Sequence, residues 1–294
     1  MTDRDAPPET PACYRHPERP ALLRCSRCER PICGDDAIEA PVGYQCPECA
    51  EGGQPVRHLR DLVPDFTVTK VMVAIIAVVF LVTSFDQGLL VNRFALRPVL
   101  VGLGEWWLLV TSGFLHAGIV HVAFNGILLW RLGQMLEPAL GHRAFGALYA
   151  AGLAGGSLGV VFLAWLWAAT PLNEVPVLGA ILTTNPGIAT LGASGAVFGL
   201  IGAAMAGLRE RGIDPWRTDI GGLAILNLIL TFMIPMISVG GHVGGFLAGM
   251  AAGRLLFVGR ERRGRATVTV SVLAVVMLAV AILLGNLIVG AIGL

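Results

Sequence analysis

The sequence predicts an all-α polytopic membrane protein with a small cysteine-bearing head. Three observations carry that prediction. Mean hydropathy is +0.71 and only 14% of the 294 residues are charged, against roughly 25% in a soluble chain. Residues 1–66 nevertheless hold 12 acidic side chains and 8 arginines, and all six cysteines lie between Cys13 and Cys49. The rest is a series of apolar runs separated by short polar loops. A fibrous protein and a disulfide-stapled secreted domain fit poorly. A net charge of +1 leaves no broad basic surface, so no nucleic-acid partner is expected. The expected organisation is a head over 1–50, a linker over 51–66, a six-span core over 67–258 and an additional C-terminal transmembrane helix over 259–294.

In the head, Cys13/His16, Cys25/Cys28, Cys33/Asp36 and Cys46/Cys49 form four pairs, each with two residues between its members. That gap lets one turn offer two side chains to one metal, and eight ligands suffice for two tetrahedral zinc ions. An interleaved arrangement is expected, with the first and third pairs sharing one ion and the second and fourth the other. The pattern resembles a B-box-type zinc module. A single-zinc head and a disulfide-bonded head remain open. About 40 residues bury little core, so the metal is expected to supply the folding energy. The expected role is regulation or the binding of a cytoplasmic protein partner.

The first 60 residues contain no apolar signal-type region, and the first apolar run begins near Val68. The head is therefore expected to stay on the side where it is made. Seven spans are predicted, at 68–85, 119–136, 144–170, 195–208, 220–236, 240–258 and 268–290. Arginines cluster between spans two and three (Arg131, Arg143), four and five (Arg209, Arg211, Arg217) and six and seven (Arg260, Arg262, Arg263, Arg265). Segments 171–191 and 234–241 have neither Lys nor Arg, and 86–118 has only Arg93 and Arg97. An excess of positive charge marks the cytoplasmic side. This predicts a multi-pass protein of the plasma membrane with its N-terminus in the cytoplasm and its C-terminus outside.

Ionisable groups inside a span are costly and mark function. Of six histidines, His16, His58 and His142 lie in the head, the linker and a loop, whereas His116, His121 and His242 lie in or beside spans. Span two opens with HAGIVHVAFN, which puts His121 and Asn125 on one helix face. His116 falls either in the preceding loop or on another face. Span four opens with GASGAVFGL. From Ser194 to Leu208 is about 22 Å of helix, too short for a ~30 Å core. Ser194 should therefore lie below the outer surface, at a helix N-terminus, on the floor of a water-filled cavity.

Span six carries Gly241, Gly245, Gly249 and Gly253, and span four carries Gly195, Gly199, Ala203 and Gly207. Two such small-residue stripes let backbones approach closely, which would bring Ser194 and His242 together. Serine needs a neighbouring base to become a nucleophile, and imidazole suits that task. No acid is well placed to orient His242, so packing against Phe198 is expected to hold the ring. His121, Asn125 and the Ser194 N–H are candidate donors to an oxyanion, with Gly192 beside them. The glycines alone also suit plain helix packing, and the His–Asn pair alone suits helix association.

Together HAGIVHVAFN, LGQMLEPALGHRAF, GASGAVFGL and HVGG make residues 68–258 resemble the rhomboid intramembrane serine proteases. The resemblance implies a six-helix core with a seventh helix appended. It implies Ser194 as nucleophile, His242 as base, His121 and Asn125 at the oxyanion site, and His116 in the same cluster. Glu137 and Gly141 are implied to be structural. The implied reaction is peptide-bond hydrolysis, at small residues and without a catalytic cofactor, in single-span membrane proteins within the lipid bilayer. One departure is visible: EWWLLVTSG has Leu108 where family members often carry Arg. Two other functions stay open, a catalytically silent protein that binds membrane helices and a transporter with a zinc-binding regulatory head.

Overall fold

The structure is a computed structural model that describes residues 10–40, 42–51, 67–234 and 237–294. The linker expected over 51–66, with His58, lies outside the described residues except for Glu51. The chain divides into two units, Met1–Val63 and Pro64–Leu294.

The first unit is built from short pieces. Strands β1 (Leu23–Arg24) and β2 (Pro31–Ile32) pair antiparallel, as do β3 (Ile38–Glu39) and β4 (Tyr44–Gln45). Helix α1 (Pro47–Glu51) follows. Among the described residues, the buried side chains of this unit are Cys13, Cys25, Cys33 and Cys46, with Ala21, Ile32 and Asp36. So small an apolar core cannot outweigh the entropy of ordering about 40 residues.

The second unit is helical. In chain order it contains α2 (Thr67–Phe85), α3 (Gln87–Phe94), α4 (Pro98–Gly102), α5 (Leu108–Thr111), α6 (Ile119–Leu140), α7 (His142–Ala169), α8 (Pro176–Leu182), α9 (Ser194–Arg209), α10 (Asp219–Met233), α11 (Val239–Leu256) and α12 (Arg260–Ile292). Each predicted span overlaps one of these helices; α7, α10 and α11 end at Ala169, Met233 and Leu256, short of the expected 170, 236 and 258. Among the described residues α2, α6, α7 and α12 are long and apolar enough to cross a membrane, whereas α9 and α10 are shorter apolar helices. The protein is an integral membrane protein. Glycine lowers the hydropathy of α11, and that same glycine content packs it. Two details differ from the expectation. Arg131 lies within α6, and α6 and α7 are separated by Gly141 alone rather than by a loop. Gly141 has φ +84°, a conformation that side chains with a Cβ resist.

Helix α7 is the centre, with 67% of its most apolar stretch buried, against 17% in α2 and 22% in α12. It packs against α9, α11 and α12. Between membrane helices hydrophobicity gives little preference for protein over lipid, so close packing and hydrogen bonds decide. Glycines supply the closeness. A Cβ on Gly199 would lie 2.7 Å from the Cα of Gly152, and one on Gly253 would lie 2.7 Å from the Cα of Ala203. One buried anion pins the start of α2 to the end of α6. The Glu137 carboxylate, 0% exposed, accepts from Val68 N (2.7 Å), Thr69 N (2.8 Å) and Thr69 Oγ1 (2.6 Å), and contacts His142 Nδ1 at 2.6 Å. It satisfies first-turn N–H groups of α2 that have no partner in their own helix.

The first connecting segment is ordered by α12. Leu96, Val101, Leu108 and Leu109 share one cluster with Val160, Val161 and Ala164 of α7 and Ala281 and Ile288 of α12. Leu108 is 0% exposed, so at the position of the missing arginine the anchor is apolar packing. At the crossing of α4 and α12, a Cβ on Gly285 would lie 2.9 Å from the backbone N of Gly102 and 3.2 Å from Val101 Cγ1. Gly285→Leu should therefore force α12 away from α4. The expected loss is about 1–3 kcal/mol of stability, seen as a lower thermal unfolding midpoint in detergent.

Candidate active site and metal centre

Ser194 is the first residue of α9 and is partly exposed, while Ala193 and Gly195 on either side are buried. The segment before it is held by backbone pairing. Leu96 and Thr190 exchange hydrogen bonds of 2.9 and 2.8 Å, and Gly192 N donates to Ser112 O at 2.9 Å. Gly192 has φ +131°. A Cβ there would lie 2.8 Å from His121 Cε1 and 3.7 Å from Ser194 Oγ. Glycine thus leaves the space that separates the His121 ring from the serine. The first-turn N–H groups of α9 converge beside Ser194 with no partner in their own helix.

His242 lies in the first turn of α11, which Ser238 caps through Gly241 N to Ser238 Oγ at 3.1 Å. Helices α9 and α11 meet closely at this level. A Cβ on Gly245 would fall on the Gly195 carbonyl oxygen, and one on Gly195 would lie 3.3 Å from the Gly241 carbonyl oxygen. The Phe198 ring, one turn beyond Ser194, stacks on His242 with centroids 3.9 Å apart and planes 22° apart. His242 is 8% exposed, and its Nδ1 lies 2.6 Å from Thr231 Oγ1 on α10.

The remaining histidines stand on the other side of Gly192. His116, 1% exposed, precedes α6, and its Nε2 accepts from Ala193 N at 3.4 Å. Its ring meets His121 edge-on at 4.9 Å. His121 is partly exposed, and Asn125 is buried and donates one amide N–H to His121 O at 3.0 Å. The structure thus groups His116, His121 and Gly192 with Ser194, and Phe198 with His242. Thr231 is not an acid, so the sequence does not mark it as the partner of His242. The available signal was Asn227 and Thr231, two polar residues one turn apart in an apolar span, both buried.

A rhomboid domain model matches residues 103–259. The chain belongs to the rhomboid family. The matched residues run from the first connecting segment to the end of α11, so this rhomboid's Ser194 and His242 both lie inside the match. Over 227 residues, covering 70% of each chain, it is 31% identical to Rhomboid-like protease 1 of Toxoplasma gondii. It is 31% identical to rhomboid protease GluP of Bacillus subtilis over 199 residues, 65% of this chain and 35% of that protein. With RHOMBOID-like protein 5 of Arabidopsis thaliana it shares 33% identity over 56% of this chain and 48% of that protein. The rhomboid chain therefore spans about a third and about half of the length of these last two relatives.

In the head, Cys25, Cys28, Cys46 and Cys49 form one group of candidate metal ligands, and Cys13, His16, Cys33 and Asp36 form another. Within each group the donor atoms lie within 4.8 Å of one another. Cys28 and Cys46 Sγ are 3.8 Å apart, the edge expected of a tetrahedron with Zn–S bonds of about 2.3 Å. In the second group the Asp36 carboxylate lies 3.1 Å from Cys13 Sγ and 2.9 Å from His16 Nδ1.

Charge points the same way. Burial raises the Cys25 thiol, but N–H groups of Cys46, Cys28 and Arg27 outweigh it and hold it down to about 6. Contact with the Cys46 thiol, together with burial, pushes Cys49 up to about 12. Four thiolates this close need a shared cation before all of them ionise. Both groups can hold a metal ion by donor type and spacing.

Proposed function

We propose that this chain is an intramembrane serine endopeptidase working through a Ser194–His242 dyad. The Phe198–His242 stack carries this reading, because Phe198 stands one turn beyond the helix-N-terminal Ser194 in a rhomboid core and the imidazole rests on its ring. Ser194 Oγ attacks the scissile carbonyl carbon while His242 Nε2 takes its proton. The oxyanion is received by the Ser194 N–H, the second amide N–H of Asn125 and the His121 ring. His242 then protonates the leaving amine, and water releases the acyl group by the reverse steps. His116 supports the backbone before Ser194 through Ala193 N, and Gly192 keeps the His121 side open. The substrates are single-span membrane proteins cut at small residues in or near their membrane segment. The protein sits in the plasma membrane with its N-terminus in the cytoplasm and C-terminus outside. A fluorophosphonate probe should label purified wild type at Ser194, and a single-span reporter in liposomes should be cleaved. No labelling and no cleavage would refute the reading.

The head, in this proposal, holds two zinc ions, one on Cys13, His16, Cys33 and Asp36 and one on Cys25, Cys28, Cys46 and Cys49. Together they give it most of its folding energy, and it binds a cytoplasmic protein. Metal analysis of the purified full chain should give about two zinc per chain. A strong chelator should remove them and make the head sensitive to protease while the membrane helices stay intact. A metal-free head that resists protease would refute the proposal.

A further inference from the structure

Thr231 offers His242 more than a packing contact. Its Oγ1 lies 2.7 Å from the Asn227 carbonyl oxygen, one turn back on α10, and 2.6 Å from His242 Nδ1. A threonine hydroxyl has one hydrogen to donate and lone pairs with which to accept. A carbonyl oxygen can only accept, so the hydroxyl hydrogen satisfies Asn227 O. The lone pairs then face His242 Nδ1, which must bring its own hydrogen. The opposite assignment would leave the Thr231 and Asn227 oxygens 2.7 Å apart with no hydrogen between them. Thr231 and His242 are 2% and 8% exposed, so unmet polar atoms here are costly.

We propose that Thr231 is a positioning residue that holds His242 in the tautomer protonated on Nδ1, leaving Nε2 free to take the Ser194 proton. This rests on the dyad reading above. The Phe198 stack cannot perform the same task. Face-to-face contact sets the plane of the imidazole, but it is indifferent to which nitrogen carries the proton. The Asn227 side chain turns an Nδ2–H to Leu223 O at 2.8 Å, and the side-chain partner of His242 Nδ1 is Thr231 Oγ1. Thr231 thus fills, as a neutral acceptor, the orienting role that a carboxylate fills in a three-residue triad. There the wrong tautomer costs about 10⁴-fold in kcat. A neutral partner stabilises the productive form less, so a smaller cost is expected here.

The test compares the full-length wild type, Thr231→Val, Thr231→Ser and Ser194→Ala on a single-span reporter in liposomes. Thr231→Val keeps the shape and removes the hydroxyl. It should lower kcat about 10- to 100-fold with KM nearly unchanged, and Thr231→Ser should restore most of the loss. In ¹⁵N-histidine spectra, the His242 signal, assigned by its loss in His242→Ala, should show a protonated Nδ1 in wild type. Full kcat in Thr231→Val, or a wild-type His242 protonated on Nε2, would overturn the proposal. Ser194-dependent cleavage with an unaffected Thr231→Val would remove only this role. A wild type as inactive as Ser194→Ala would remove the dyad as well.

Discussion

Ser194→Ala should abolish fluorophosphonate labelling and lower cleavage of a single-span reporter by at least about 10⁴-fold. The Thr231 hydroxyl beside His242 is no substitute, because it donates to Asn227 O at 2.7 Å. Ala193 and Gly195, which flank Ser194, carry no nucleophile, and His116, His121 and His242 are bases rather than hydroxyls. His242→Ala should lose a comparable factor, because a serine hydroxyl is a weak nucleophile without a proton acceptor. The double variant should be hardly worse than either single one, since the two groups act in one step. Rates that multiplied instead would indicate that they act separately. Undiminished cleavage by Ser194→Ala would rule out Ser194 as the nucleophile and assign the hydrolysis to another group.

Gly245→Ala should be among the damaging single-methyl changes in the core, and it is the one that falls beside Ser194 and His242. The added Cβ would fall on the Gly195 carbonyl oxygen and within 3.0 Å of Gly195 Cα. These are backbone atoms, so no side chain can rotate away, and α9 and α11 must separate. Ser194 and His242 stand on those two helices, each within three residues of the clash. A shift of about 1 Å in reacting groups costs on the order of 10² in rate, and that loss in kcat is expected along with a lower unfolding midpoint. Gly146→Ala on α7 is the control. Nothing lies within 4 Å of a Cβ there, so activity should be unchanged and stability equal or up to about 1 kcal/mol higher. Equal behaviour of the two variants would show that the α9–α11 approach does not set the geometry of the site.

Much of this was legible along the chain. Hydropathy located the helices because a ~30 Å apolar core demands long apolar runs whatever packs against them. Cysteine pairs with two-residue gaps announced candidate metal ligands because one turn presents both side chains. A serine and a histidine, each leading a stripe of small residues, stood out because lipid penalises polar groups without a task. These signals are local: they are written in spacing along a single segment.

Other features depend on segments far apart in sequence. Leu108 reads as a missing arginine until Val160, Ala164, Ala281 and Ile288 are seen in the same cluster. Gly102 and Gly285 look unrelated until α4 crosses α12. Thr231 reads as one more polar residue in an apolar span, because periodicity gives its angle on α10 but not which helix that angle meets. The helices, the candidate ligands and the chemically capable side chains can be read along the chain, since each follows from solvent, spacing and side-chain chemistry. That α10 turns Thr231 toward His242, and that α12 packs against the connecting segment between α2 and α6, emerges with the folded molecule. Such contacts arise from close packing between surfaces brought together by the whole fold.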